Sequence, residues 1–488
     1  MSYEQESTWE AVIGLEVHVE LNTKSKLFSS APNRFGDEPN SNISVVCTGQ
    51  PGALPVLNRE AVRKAVQFGC AVGATINHHS SFDRKSYFYP DSPRNFQITQ
   101  FYEPIVTGGS VTVELNGEER TFEIEHAHLE DDAGMLKHFS SFAGVDYNRA
   151  GVPLIEIVSQ PCMHTPQEAS AYGMAIKGIM QYLNASDCNM EEGSLRMDAN
   201  VSVRKKGEKG LRTKCEIKNM NSFSYMELAL QSEIRRQIRE YERNADKDPS
   251  TVIHQSTYRW DPAKKETVLM RRKEVADDYR YFPEPDLVPI VLDDAYIEEI
   301  RSALPEMPLQ RTRRYISELG LAPDSAFILT TDKPIADYFE EALKHTTHAR
   351  NLCNWMIVEF AGRLKESGRS LVETGIAPLE MATLVNLIAE GTITGKIAKK
   401  VADDLLNSPT TSVKEIIAAN PDYQPLNAVD EIEEMVDQVL EAHPQSIEDF
   451  KAGKDKAFAF LVGQVMKLSR GKASPQIVND LLKKKIDV

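Results

Sequence analysis

Apolar and polar positions alternate strictly through Ile13-Gly14-Leu15-Glu16-Val17-His18-Val19-Glu20. Ile13, Leu15, Val17 and Val19 share one side of an extended chain and Glu16, His18 and Glu20 the other, which predicts a half-buried β-strand. Solubility alone does not require a carboxylate, an imidazole and a second carboxylate in a row. The polar side is either the solvated outside of an edge strand or a face that holds a hard divalent cation through oxygens, with His18 as a further ligand or proton handler. The pattern recurs in Arg196-Met197-Asp198-Ala199-Asn200-Val201-Ser202-Val203-Arg204 and again in Lys214-Cys215-Glu216-Ile217-Lys218. Several two-faced strands can form an antiparallel sheet packed on helices by one face. The other face is then a floor of carboxylates and cations, as metal-assisted phosphoryl transfer requires, because that chemistry is mostly positioning and charge neutralisation.

Between these strands the pattern changes period. Residues 59–73, 165–183 and 222–244 repeat apolar positions at helical spacing. Ser110–Leu115 and Thr121–Glu125, joined through Asn116-Gly117, predict a hairpin. Asp83 to Asp91, rich in charge and aromatics, is either a buried polar loop or part of a site. Glu130-Asp131-Asp132 follows two histidines, His126 and His128, and is either a solvated triplet or a source of metal ligands. Glu156 stands alone in the apolar run 153–158, and a lone buried carboxylate is costly unless paired or metal-bound. Beyond about residue 295 period-two alternation disappears. Ile335–Lys344, Asn351–Ser367, Pro378–Ala389 and Thr394–Leu406 read as helices, followed by a Pro- and Asn-marked stretch over 407–427 and a final helical block.

Composition narrows the function classes. The chain has 488 residues, 41% hydrophobic and 26% charged, as expected of an ordinary globular protein of about three domains. No apolar run is long enough to span a bilayer, and the start of the chain lacks a signal-peptide pattern. The six cysteines form no C-x-x-C pair, which favours reduced thiols and a cytoplasmic setting. A net charge of −16 argues against a whole-surface nucleic-acid binder but leaves room for a local basic patch. One candidate is the end of the chain, where nine positive charges face three negative ones in the last 38 residues. There is no G-x-x-x-x-G-K-[ST] and no G-x-G-x-x-G, so any use of ATP proceeds without those phosphate turns.

Six motifs in order resemble the B-type subunit of the aspartyl/glutamyl-tRNA(Asn/Gln) amidotransferases, the GatB/GatE family. They are Ile13–His18, Pro51-Gly52-Ala53-Leu54-Pro55, Tyr87-Phe88-Tyr89-Pro90-Asp91, Pro153-Leu154-Ile155-Glu156, Met190–Arg196 and Asp277–Asp286. The likeness runs to Phe460–Gln464 and Gly471-Lys472-Ala473. It implies an α+β architecture: a glutamine-synthetase-like antiparallel-sheet cradle over 1–294, an all-α helical domain over 295–408 and a small α-helical tail over 409–488. It also implies ATP- and Mg²⁺-dependent phosphorylation of the side-chain carboxylate of misacylated Glu-tRNA(Gln) or Asp-tRNA(Asn). Ammonia would arrive through a channel from a partner amidase (glutaminase) subunit, within a cytoplasmic heterotrimer braced by a small third subunit.

Carried over residue by residue, the resemblance puts Glu16, His18, Asp131 and Glu156 at Mg²⁺-ligating positions and Lys85 near the ammonia path. On the charged floor, Arg196, Asp198, Asn200, Glu216 and Lys218 are the candidates for nucleotide binding, with Arg196 and Lys218 facing the transferring phosphoryl oxygens. Lys467, Arg470 and Lys472 in the tail are the candidates for tRNA contact. Many relatives carry a C-x-x-C before Pro-Gly-Ala-Leu-Pro, whereas this chain has Val45-Val46-Cys47, so no zinc is expected. Two alternatives remain open on the sequence: a non-catalytic tRNA-binding scaffold, and a free-standing ligase of glutamine-synthetase type.

Overall fold

A computed structural model divides the chain into two compact units, Met1–Leu309 and Gln310–Val488. The structure describes residues 8–272, 279–423, 429–451, 454–469 and 471–486. Arg470 and the Asp277-Asp278 pair of the motif lie outside them.

The first unit is built on a ten-stranded sheet. Its long strands are β1 (Trp9–Glu20), β2 (Glu118–Asp131), β3 (Pro153–Ser159), β4 (Leu195–Lys205), β5 (Cys215–Lys218), β6 (Ser256–Asp261) and β7 (Glu266–Arg272). They lie in the order β7-β6-β5-β4-β1-β3-β2, continued by Val106–Thr107 and Thr75–Ile76, while Ser110–Leu115 pairs with β2 off this path. The charged strand that opens the chain is therefore central. All pairings are antiparallel except β5–β6, which is parallel. Parallel neighbours need a long crossover, and here the connection carries the 21-residue helix Phe223–Arg243.

Three of the helices packed into the core are α1 (Arg59–Ala71), α2 (Pro166–Tyr182) and α3 (Phe223–Arg243). Each starts where its sequence signals it: Asn58 and Ser222 cap α1 and α3, and α2 opens with a Thr165/Glu168 capping box and Pro166. Ile13, Leu15, Val17 and Val19 are at most 1% exposed and join the helices' apolar residues in one core. Burying each such side chain contributes about 1.5–3 kcal/mol. Gly173 lets α2 come close to β4, since a Cβ there would sit 2.8 Å from the Met197 sulfur. Asn116 and Gly117 both adopt positive φ (55° and 78°), as the two-residue hairpin turn demands.

Helix Asp294–Ser302 contributes Ile297 and Ile300 to the first core, so this unit runs past the 294 boundary suggested by the sequence. The second unit is helical and has two cores of its own. One spans Tyr315 to Tyr423, taking in Val413, Ile416 and Tyr423 beyond position 408, and the other runs from Ile432 to Ile486. The expected helix 351–367 is interrupted by a π-helical stretch at Trp355–Phe360. Among the described residues no helix is long and apolar enough to cross a membrane.

Candidate active site

Register decides which side chains meet on the open face of the sheet. β1 pairs with β4 so that Glu16 lies opposite Asp198 and His18 opposite Arg196; on its other side His18 lies opposite Glu156 of β3. Glu156 in turn faces His128 of β2, and Asn200 faces Glu216 of β5. Directly opposite residues project to the same side. One row therefore reads Arg196, His18, Glu156, His128 across four strands.

The contacts follow that register. His18 Nε2 and His128 Nε2 each lie 3.4 Å from the same oxygen of Glu156. Asn200 donates to Glu16 at 2.8 Å, and Lys218 bridges Asp198 (2.5 Å) and Glu216 (3.0 Å). Two groups have oxygen or nitrogen atoms all within 4.8 Å of one another, His18/Glu130/Glu156 and Glu16/Asp198/Glu216. A cleft of about 390 Å³ is lined among others by His18, Lys85, Glu130, Arg196, Asp198 and Lys218.

The carboxylate triplet is neither solvated nor uniform: Glu130, Asp131 and Asp132 are 3%, 2% and 6% exposed, each with its own cation. Lys85, on the short strand Asp83–Ser86, stands 3.7 Å from Glu130. Asp132 takes Arg196 at 2.5 Å and Arg149 at 3.7 Å. Asp131 turns to the opposite side, accepting from the Ile98 amide at 2.8 Å and from the Arg94 guanidinium. This differs from the ligand set carried over by the resemblance. Asp131 lies outside both groups, and Glu130 stands with His18 and Glu156 instead. A one-residue step along a strand flips the face. The available signal was parity, because His126, His128 and Glu130 are two apart and share the side that faces Glu156. His128 and Asp132, which the sequence offered only as part of an acidic run after two histidines, also stand at this face, and Arg149 beside Asp132 was not singled out by the sequence.

Electrostatics reflects the crowding. Burial opposes the charged imidazole of His18, but Glu156 outweighs it and carries its pKa up to about 9. Burial likewise opposes the charge of Glu156, and His18 and His128 nevertheless hold its pKa well below the usual carboxylate range. Burial and then Glu156 raise Glu16. Glu20 is pushed up to about 8 by burial and the neighbouring Asp132, while Asp132, despite burial, is held near 2 by Arg196 and Arg149. Carboxylates buried at this density are tolerable where cations are supplied.

The acidic groups suit a hard divalent ion. Each offers carboxylate oxygens, and Oε2 of Glu130 is buried without a hydrogen-bond partner. Cys47, by contrast, lies 3.5 Å from the Ser29 hydroxyl and 3.2 Å from that of Ser44. In the tail, Lys467 is exposed and Lys472 is paired with Asp422 at 3.0 Å.

An open sheet face carrying two such groups defines a class of protein, and sequence comparison gives it a name. The family model described as the GatB/GatE catalytic domain matches residues 11–298, and the GatB domain matches 337–486. The chain belongs to this family. It is 68% identical over 485 residues to the B-type subunit of the aspartyl/glutamyl-tRNA(Asn/Gln) amidotransferase of Protochlamydia amoebophila (strain UWE25), covering 99% of this chain and 98% of that one. The Chlamydia pneumoniae protein of the same name is 59% identical over 479 residues, covering 98% of each chain. That of Chlamydia trachomatis serovar D (strain ATCC VR-885 / DSM 19411 / UW-3/Cx) is 56% identical over 474 residues, covering 97% of each.

Proposed function

We propose that this chain is the activating subunit of a tRNA-dependent amidotransferase. It phosphorylates the side-chain carboxylate of Glu or Asp esterified to tRNA, using ATP, and the acyl phosphate is then amidated by ammonia from a partner glutaminase subunit. The observation that carries this reading is the pair of acidic groups on one sheet face, with His18, Glu130 and Asp198 of those groups lining one cleft together with Arg196, Lys218 and Lys85. The relatives are named as the B-type subunit of such an enzyme, which supports a multi-subunit complex; an amidase subunit and a small third subunit are the partners of this reading.

The chemical need is plain. A carboxylate does not accept ammonia at neutral pH, because hydroxide is a poor leaving group, whereas phosphate is a good one. The carboxylate oxygen attacks the γ-phosphorus and ADP departs. Ammonia next attacks the acyl carbon, loses a proton, and expels phosphate that keeps the carboxylate's oxygen. His18, Glu130 and Glu156 would hold one Mg²⁺, and Glu16, Asp198 and Glu216 a second. Bound there, Mg²⁺ supplies neutralisation of the phosphate charge.

The chain's other residues orient and balance. Asp132 fixes Arg196 toward the cleft, where the guanidinium faces transferring phosphoryl oxygens. Lys218, anchored by Asp198 and Glu216, adds a second cation. Asn200 orients the Glu16 carboxylate. Lys85 covers the Glu130 side of the cleft, the side assigned to arriving ammonia.

ATP hydrolysis by the assembled complex is the test. Stimulation by misacylated tRNA but not by free glutamate supports this function. Stimulation by free glutamate would make the protein a small-molecule ligase, and tRNA binding with no ATP consumption would make it a scaffold.

A further inference from the structure

A second dense basic patch lies outside the tail. The end of β4 and the loop joining it to β5 read Arg204-Lys205-Lys206-Gly207-Glu208-Lys209-Gly210-Leu211-Arg212-Thr213-Lys214, six basic residues against one acidic in a chain of net charge −16. We propose that this loop is a phosphate-backbone platform for the acceptor arm of the tRNA substrate, a proposal that rests on the function given above.

The loop is built to present charge. Glu208 is consumed internally, gripping Arg212 with both oxygens at 2.9 and 2.7 Å. Lys205 Nζ lies 3.8 Å over the Trp9 ring, and Arg212 lies over Trp9 and Tyr241 at 5.2 and 4.6 Å, so the base of the loop is packed on aromatics. Arg204 pins it to the sheet by donating to Glu10 (2.6 Å) and to the Gly210 carbonyl (2.8 Å). Gly207 and Gly210 supply the left-handed turns, with φ of 83° and 88°. What remains outward are Lys206, Lys209 and Lys214, exposed and without an acidic partner among the described residues. In the tail, Lys454 pairs with Asp449, Lys472 with Asp422, and Lys485 with Glu433 and Asp437, while Lys467, Lys483 and Lys484 are exposed like the loop lysines.

Position selects the kind of polyanion. Arg204 and Arg196 share the polar side of β4, opposite Glu10 and His18 of β1. Eight residues of strand separate them, about 26 Å at ~3.3 Å per residue. A nucleotide held at Arg196 cannot also reach the loop. A nucleic acid whose 3′ end enters the cleft can, because its backbone continues outward as a row of phosphates. Contacts of this kind fix position and orientation and carry no sequence information.

The experiment uses the assembled complex with wild-type chain or the triple variant Lys206→Ala, Lys209→Ala, Lys214→Ala, and measures misacylated-tRNA affinity against salt. Each phosphate contact adds about 0.9 to the log–log salt slope, so the variant should lose roughly 2.7, and wild-type affinity should fall ~40-fold more than the variant's between 50 and 200 mM salt. The KM for tRNA should rise while kcat at saturating tRNA stays at the wild-type value, because the lysines stand far from the reacting atoms. An unchanged slope in the variant beside a salt-sensitive wild type overturns this proposal and leaves the proposed function standing. Loss of complex assembly on gel filtration with an unchanged slope also overturns it, marking the loop as a protein contact. A wild-type complex that fails to bind misacylated tRNA overturns both.

Discussion

Neighbouring carboxylates on one strand give opposite predictions. Glu130 stands with His18 and Glu156 at the cleft, and Asp131 points away, bound to Arg94 and the Ile98 amide. Replacing Glu130 by Gln removes a charge from the reacting side of the sheet. Losing one such electrostatic contact costs on the order of 10²–10³ in rate. Stability should hold, because the substitution relieves repulsion with Glu156 and leaves only Lys85, one-fifth exposed, without its carboxylate. Asp131→Asn does the reverse. It breaks a buried ion pair, which costs about 3–5 kcal/mol. The lower figure applies, since burial raises the Asp131 pKa even beside Arg94. At about 2 °C per kcal/mol for a unit of this size, the melting temperature should drop by roughly 6 °C. Calorimetry and tRNA-dependent ATP consumption per folded molecule, read side by side, separate the two. A destabilised Glu130→Gln with normal turnover, or an inactive Asp131→Asn that melts like wild type, would refute the register assignment.

Other outcomes follow from the same geometry. Glu16→Ala and Glu156→Ala should each abolish tRNA-dependent ATP consumption while circular dichroism stays that of the wild type; near-normal turnover would remove that residue from the metal site. In chelator, stability should decline between pH 6.5 and about 9, because the folded chain keeps a His18 proton that the unfolded chain releases. This contribution is complete below 6.5, lost above 9, and worth about 3 kcal/mol; a His18→Gln chain whose melting curve shows the same pH slope would contradict it. Zinc analysis should give far less than one equivalent and Cys47→Ser should behave as wild type, so stoichiometric zinc would reveal unseen ligands. Deleting the chain from Asn427 should spare the catalytic unit and the 315–423 core, which have separate hydrophobic clusters, and should weaken tRNA binding; unaltered affinity would place all tRNA contacts elsewhere.

Local features were legible because their causes are local. Alternation identified β1, β4 and β5, the Asn116-Gly117 turn marked its hairpin, and helical spacing located α1, α2 and α3. Pairing direction was not, since period two says nothing of the partner, and the parallel β5–β6 pair appears only once α3 is seen to cross between them. The motif drew attention to Asp131, whereas parity with His128 selects Glu130. Tail charge looked local in sequence, yet Lys485 meets Glu433 and Asp437 from the acidic helix that opens the same block. The β4–β5 loop escaped notice because it interrupts two strands whose alternation draws the eye to their faces.

The central claim is that the side-chain carboxylate is phosphorylated in this cleft before it is amidated. Misacylated tRNA labelled with ¹⁸O in both side-chain carboxylate oxygens, given to the complex with ATP and glutamine, tests it directly by mass spectrometry of the phosphate released. Phosphorylation before amidation predicts one ¹⁸O in each inorganic phosphate formed with each amide, and ADP as the nucleotide product. Unlabelled phosphate, or label carried into AMP, would contradict it.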